Sequence, residues 1–151
     1  MNIRVDDLSG AKIQQLLQQH VQGMAEHSPP ESIRALEIEA LRQPSIRSWT
    51  AWDGDDLLGC GALKELDPTH AEMKSMRTAA AHLRQGVAKA VLVHNIEEAR
   101  QRGYIRLSLE SGSTAAFNPA QRPYAAFGFQ FCGPFADYRL DPHNGFMTRN
   151  I

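Results

Sequence analysis

The chain has 151 residues, the length of one ordinary domain, with 42% hydrophobic and 22% charged residues, the composition of a globular protein able to bury a core. Its 16 basic and 17 acidic side chains leave a formal net charge of -1, so no global basic excess draws it to nucleic acid or to an anionic membrane, and any anion site has to be local. The opening MNIRVDDLSG lacks the apolar run of a signal peptide and no stretch approaches the ~20 apolar residues of a membrane span; Cys60 and Cys132 form no CxxC pattern. A cytoplasmic protein with reduced thiols is expected.

No repeat, low-complexity tract or long linker interrupts the chain, and one domain over residues 1–151 is expected. Ile3 to Asp7 alternates as a short strand, and Ala11 to Ala25 carries Ile13, Leu16, Leu17, Val21 and Met24 at helical spacing. SPPESIRALEIEAL reads as a second helix, with Ser28 as N-cap, Pro29 in the first helical position and Glu31 completing a capping box. Pro44 bounds it. Two alternating runs then flank Asp53-Gly54, a hairpin signal. HAEMKSMRT reads as a further antiparallel strand. A helix follows from Gly86 to Arg102, with Ala88, Val91, Leu92, Ile96 and Ala99 on one face and basic residues before a terminal glycine. Ile105, Leu107 and Leu109 define one face of the next strand, a short helix spans Ala120 to Phe127, and GFQFCGPF and NGFMTRN supply two last strands. The order β-α-α-β-β-β-α-β-α-β-β predicts an α/β fold with a mixed, mostly antiparallel central sheet flanked by helices.

Gly86 stands where a helix begins, and glycine is a poor interior helix residue. Backbone N–H groups at a helix start point outward with the positive end of the helix dipole, a ready anion site. Arg84 stands beside it, and Arg77 closes the preceding strand. A pyrophosphate would satisfy these groups; a tight helix start flanked by solvated arginines explains the glycine equally well. Neither a Walker loop nor a G-x-G-x-x-G dinucleotide fingerprint is present.

The stretch MKSMRTAAAHLRQGVAKAVL resembles the acetyl-coenzyme A signature of the GNAT superfamily of N-acetyltransferases, in which a strand leads through [Q/R]-x-x-G-x-[G/A] into a helix. Gly86 and Ala88 fit, while Leu83 stands where the family carries Gln or Arg. FNPAQRPYAAFGF resembles the family's Y-x-x-x-G-F segment through Tyr124, Gly128 and Phe129, with Phe117 in the place of its usual asparagine and Pro123 an unusual residue in that helix. The resemblance spans about Trp49 to Phe135 and implies an acyl-CoA N-acyltransferase fold.

It further implies acetyl-CoA as co-substrate, attacked directly by a primary amine of a small molecule or peptide in a ternary complex. The Met76 backbone N–H would lie near the thioester carbonyl. Arg77, Thr78, Arg84, Gln85, Gly86, Val87, Ala88 and Lys89 would hold the coenzyme, and Tyr124 would protonate the leaving thiolate. A phenol of pKa about 10 can donate to a thiolate whose conjugate acid lies near ~8.5 when well placed. Tyr124 as a packing aromatic is the alternative. The base is open between Glu72, Glu110 and a water chain: Glu72 lies four residues before Met76, hence on the same strand face, though a solvated strand glutamate is equally ordinary. His27 and Glu31 sit where the family's first two helices line the acceptor site, although capping alone accounts for Glu31. No zinc pattern emerges from the six histidines, and no metal is expected. A non-catalytic acyl-CoA-binding sensor is the competing function; Tyr124 favours the enzyme. Edge strands of such folds pair between subunits, so a homodimer is one expected assembly.

Overall fold

The computed structural model describes residues 1–22, 39–111, 122–136, 138 and 145–151. In chain order these form β1 (Asn2–Asp6), α1 (Ala11–Gln22), β2 (Ile46–Asp53), β3 (Asp56–Asp67), β4 (His70–Thr78), α2 (Val87–Gln101), β5 (Arg106–Ser111), α3 (Arg122–Ala126), β6 (Gln130–Cys132) and β7 (Gly145–Asn150). A short 3-10 turn, Ala80–His82, separates β4 from α2. The capping box at Ser28, and with it His27 and Glu31, lies outside the described residues; residues 39–41 are helical.

Seven strands form one sheet in the order β1-β2-β3-β4-β5-β7-β6. Every neighbouring pair is antiparallel except β4 with β5, the crossover that α2 makes necessary. This is the mixed, mostly antiparallel sheet that the element order predicts. The hairpin forms one residue later than the Asp53-Gly54 signal implies: Asp53 pairs with Asp56, leaving Gly54 and Asp55 as the loop.

One sheet face carries α2. Val91, Leu92, Ile96 and Ala99 turn inward as the periodicity predicts, but Val87 is buried in place of the expected Ala88, which is exposed. Leu92, Ile96 and Ala99 pack on Leu63, Met73, Leu107 and Leu109, and Val87 and Val91 on Ala51 and Leu58. Ile105 does not join Leu107 and Leu109, being 63% exposed, because the strand begins only at Arg106. The other face receives α1 through Ile13, Leu16 and Leu17, against Cys60 and Ala62. Trp49 is buried with His94 edge-on to it at 5.3 Å; Trp52 is half-buried, with the Arg4 guanidinium 4.6 Å from its ring centroid.

Candidate active site

The site begins where two strands part. The β4–β5 ladder runs from His70 opposite Arg106 to Met73 opposite Leu109 and ends there. Beyond it β4 continues to Thr78 against β3, and β5 to Ser111 against β7. Within this extension β4 carries a bulge. Cys60 faces Arg77 and Ala62 faces Lys74, so three residues of β4 answer two of β3, with Ser75 at φ 55°. An extra residue reverses the alternation of every side chain after it.

That reversal corrects the expected shared face of Glu72 and Met76. Met76 turns toward α2, where the Asn95 side-chain amide donates to its sulfur at 3.2 Å. Glu72 points to the opposite face, toward Tyr138. Nor is Glu72 an exposed strand residue: it retains 2% of its surface.

Past Thr78 the chain enters the cofactor candidate. Arg84 (φ 64°) and Gly86 (φ 81°) are both left-handed, and Gly86 is the N-cap of α2 without any side-chain cap. A Cβ built on Gly86 would meet nothing within 4 Å, so within the chain it is the positive φ that selects glycine, and the space above it is open. Helical bonding starts with the Ala90 N–H donating to the Gly86 carbonyl at 3.0 Å. The N–H groups of Val87, Ala88 and Lys89 therefore precede the helical ladder and need partners from outside it. Arg84, Gln85, Ala88 and Lys89 are exposed, and His82 Nδ1 lies 3.2 Å from Gln85 Oε1. Open space, outward donors and two exposed cations fit a pyrophosphate.

Arg77 behaves differently from the other expected coenzyme contacts. Its Nη1 donates to the Met76 carbonyl at 2.7 Å, and its charge acts on Tyr124. Tyr124, on α3, is fixed by its backbone: its carbonyl accepts the N–H groups of Phe127 and Phe129, both at 3.0 Å. Its ring meets Phe129 edge-on at 6.0 Å. Burial raises the phenol's pKa above the ordinary tyrosine value, with Arg77 opposing. The group therefore keeps its proton through the neutral range.

On the opposite face a polar cluster surrounds Glu72. The Tyr138 hydroxyl donates to Glu72 Oε2 at 2.5 Å. Lys74 Nζ donates to the Tyr138 oxygen at 3.3 Å and stands 3.7 Å from Glu72 Oε2. Desolvation, then the Glu72 bond and charge, push the Tyr138 phenol far above the ordinary range. Phe135 and Phe146 hold its ring at centroid distances of 5.2 and 5.6 Å. Behind them His70 Nε2 lies 2.6 Å from Ser108 Oγ, itself 2.9 Å from Thr148 Oγ1. Burial, then Arg106, hold the His70 pKa below its ordinary value, opposed by Asp67 and Glu72. Glu110, at the end of β5, is exposed and acts on Tyr138 through its charge. Sequence reading did not single out Lys74 or Tyr138; the E-x-K spacing of Glu72 and Lys74, which puts both on one strand face, was the available signal for the first. No group of three metal-ligating side chains occurs among the described residues.

The profile of the acetyltransferase (GNAT) family matches residues 12–129. The chain belongs to the GNAT family. It is 59% identical over 151 residues, 100% of both chains, to the uncharacterized N-acetyltransferase YsnE of Bacillus subtilis. To the uncharacterized N-acetyltransferase YedL of Escherichia coli it is 48% identical over 149 residues, 99% of this chain and 94% of that one. Its fold matches that of a GNAT family acetyltransferase from Elizabethkingia anophelis with acetyl-CoA bound, at a TM-score of 0.70, 17% identity and coverage of 99% and 97% of the two chains. The chain is thus an acetyl-CoA-dependent N-acetyltransferase, and the open, donor-rich start of α2 suits the coenzyme of such a GNAT enzyme.

Proposed function

We propose that the chain transfers the acetyl group of acetyl-CoA to a primary amine of a small molecule or peptide, by direct attack in a ternary complex. The observation that carries this reading is the parting of β4 from β5 beyond Met73, on a strand that runs on to the coenzyme loop. The backbone of Thr78 and of Gln85 to Ala88, with Arg84 and Lys89, holds the pyrophosphate arm. The Met76 N–H meets the carbonyl oxygen of the thioester and stabilises it as charge develops there.

In the reaction the amine nitrogen forms a bond to the carbonyl carbon, and the carbon–sulfur bond breaks. The amine's proton goes to Glu72, and the departing sulfur takes the Tyr124 proton. A base is needed because an alkylamine of pKa about 10 is mostly protonated at neutral pH. Glu72 is preferred to Glu110 because it is buried with a fixed hydrogen-bond partner, whereas Glu110 is exposed. Thiol release from acetyl-CoA over alkylamines, amino acids, polyamines and peptides tests the reading. Saturable release with a primary amine is expected. Tight coenzyme binding without release for any amine would replace the enzyme by an acyl-CoA sensor.

A further inference from the structure

Glu72 has a geometric problem as a base. Only 2% of its surface is exposed, and one of its oxygens already accepts the Tyr138 hydroxyl at 2.5 Å. Tyr138, in contrast, is half-buried, so it is the less enclosed residue of this pair. We propose that Tyr138 relays the proton: its phenol oxygen receives the proton of the attacking amine while its own proton passes to Glu72. This rests on the assignment of Glu72 as the base made above.

Lys74 shows that the phenol oxygen accepts from a primary ammonium in this setting. Its side chain places a primary ammonium 3.3 Å from the Tyr138 oxygen and 3.7 Å from Glu72 Oε2. An acceptor amine occupying a second position on the same phenol oxygen would make the same kind of donor contact, since a hydroxyl accepts through two lone pairs. The fixed Lys74 charge also disfavours a second cation beside it, and so favours the neutral, nucleophilic form of the acceptor. The balance of the step is simple. As the nitrogen–carbon bond forms, the N–H proton moves to Tyr138 Oη, the phenol proton moves to Glu72 Oε2, and the tyrosine is unchanged. The carboxylate becomes a carboxylic acid, and the positive charge that bond formation leaves on nitrogen is lost. Release of that proton to solvent through the same phenol resets the pair. A phenol with a strongly raised pKa suits this role, because it passes a proton on without resting as phenolate. Its orientation is set by the Phe135 and Phe146 rings and by the Tyr138 N–H donating to the Phe135 carbonyl at 3.1 Å.

A double-mutant cycle tests the relay, using the primary alkylamine that releases thiol fastest. Tyr138→Phe, Glu72→Gln and the double variant should each lower kcat by about 10²-fold, the lower range for losing general-base help, because groups that act as one unit are non-additive. KM for acetyl-CoA should stay within twofold. If Glu72→Gln is impaired while Tyr138→Phe turns over at the wild-type rate, or if the two losses multiply, the relay is wrong and Glu72 works without it. If Glu72→Gln itself is unimpaired, the base assignment falls and the relay with it. Lys64, Lys74, His70 and Glu110 are the other charged or titratable groups around this pair among the described residues, and all four are retained in every variant of the cycle.

Discussion

Tyr124 and Gly86 carry the two assignments that depend least on neighbouring elements. The Tyr124 carbonyl is pinned by two N–H groups, so Tyr124→Phe removes a hydroxyl without freeing the ring. A kcat about 10²-fold lower with unchanged KM for acetyl-CoA is expected from loss of the general acid; wild-type turnover would leave Tyr124 as a packing residue. Because burial raises its pKa, the acid form persists above neutrality, and activity limited by this group should fall only beyond the ordinary tyrosine range near ~10. Gly86→Ala separates conformation from contact. The positive φ alone should cost about 1–2 kcal/mol of stability, since the added Cβ meets no protein atom. If the coenzyme's pyrophosphate occupies that space, calorimetry should also show weaker acetyl-CoA binding in the folded variant. Unchanged affinity would place the pyrophosphate elsewhere.

Between β3, β4 and α2 the loop proposed to hold the coenzyme is fixed by close approach. A Cβ on Gly59 would lie 2.6 Å from the Arg77 carbonyl oxygen and 2.8 Å from Val87 Cγ1, and a backbone oxygen in a ladder cannot swing aside. Gly59→Ala should therefore destabilise the protein by about 1–3 kcal/mol, the usual cost of overpacking. It should also raise KM for acetyl-CoA, because it wedges the end of β4 from the first turn of α2; urea unfolding and steady-state kinetics read the two effects, and a variant as stable as wild type would refute the tight contact. The elements themselves were legible because their signals are local. Alternation located β4, 3.6-residue spacing located α2, and the glycine at position 86 announced its start. The bulge at Ser75 was not legible, since an inserted residue leaves the composition of HAEMKSMRT that of an ordinary strand. For the same reason Glu72 was read onto the face of Met76. Its partner Tyr138 lies 66 positions away, and no local pattern connects a carboxylate to a tyrosine across that distance.

Across the whole molecule, two histidines on opposite faces of the sheet make stability depend on pH. Burial holds both His70 and His94 below the ordinary value of 6.5. His94 stands edge-on to Trp49, with its Nε2 buried and without a hydrogen-bond partner among the described residues. Each is therefore harder to protonate in the folded chain than in the unfolded one. Their contribution is fully present above pH 6.5, where both states are neutral, and is lost as pH falls from there through the lowered folded values, because the unfolded chain binds the proton first. Asp7 and Asp67 act in a separate window. Hydrogen bonds from Ser9 and from Thr69 lower their pKa values below 3.8, so what they add disappears only in stronger acid. The urea midpoint should accordingly fall between pH 7 and pH 5, before these carboxylates respond. His94→Leu keeps the apolar contact with Trp49 and deletes the titration, so its midpoint should fall less over that interval than the wild-type midpoint does. His70 contributes to what remains. Parallel midpoint curves for wild type and His94→Leu would mean that His94 titrates alike in the folded and unfolded chain, and that its buried contact with Trp49 opens to water.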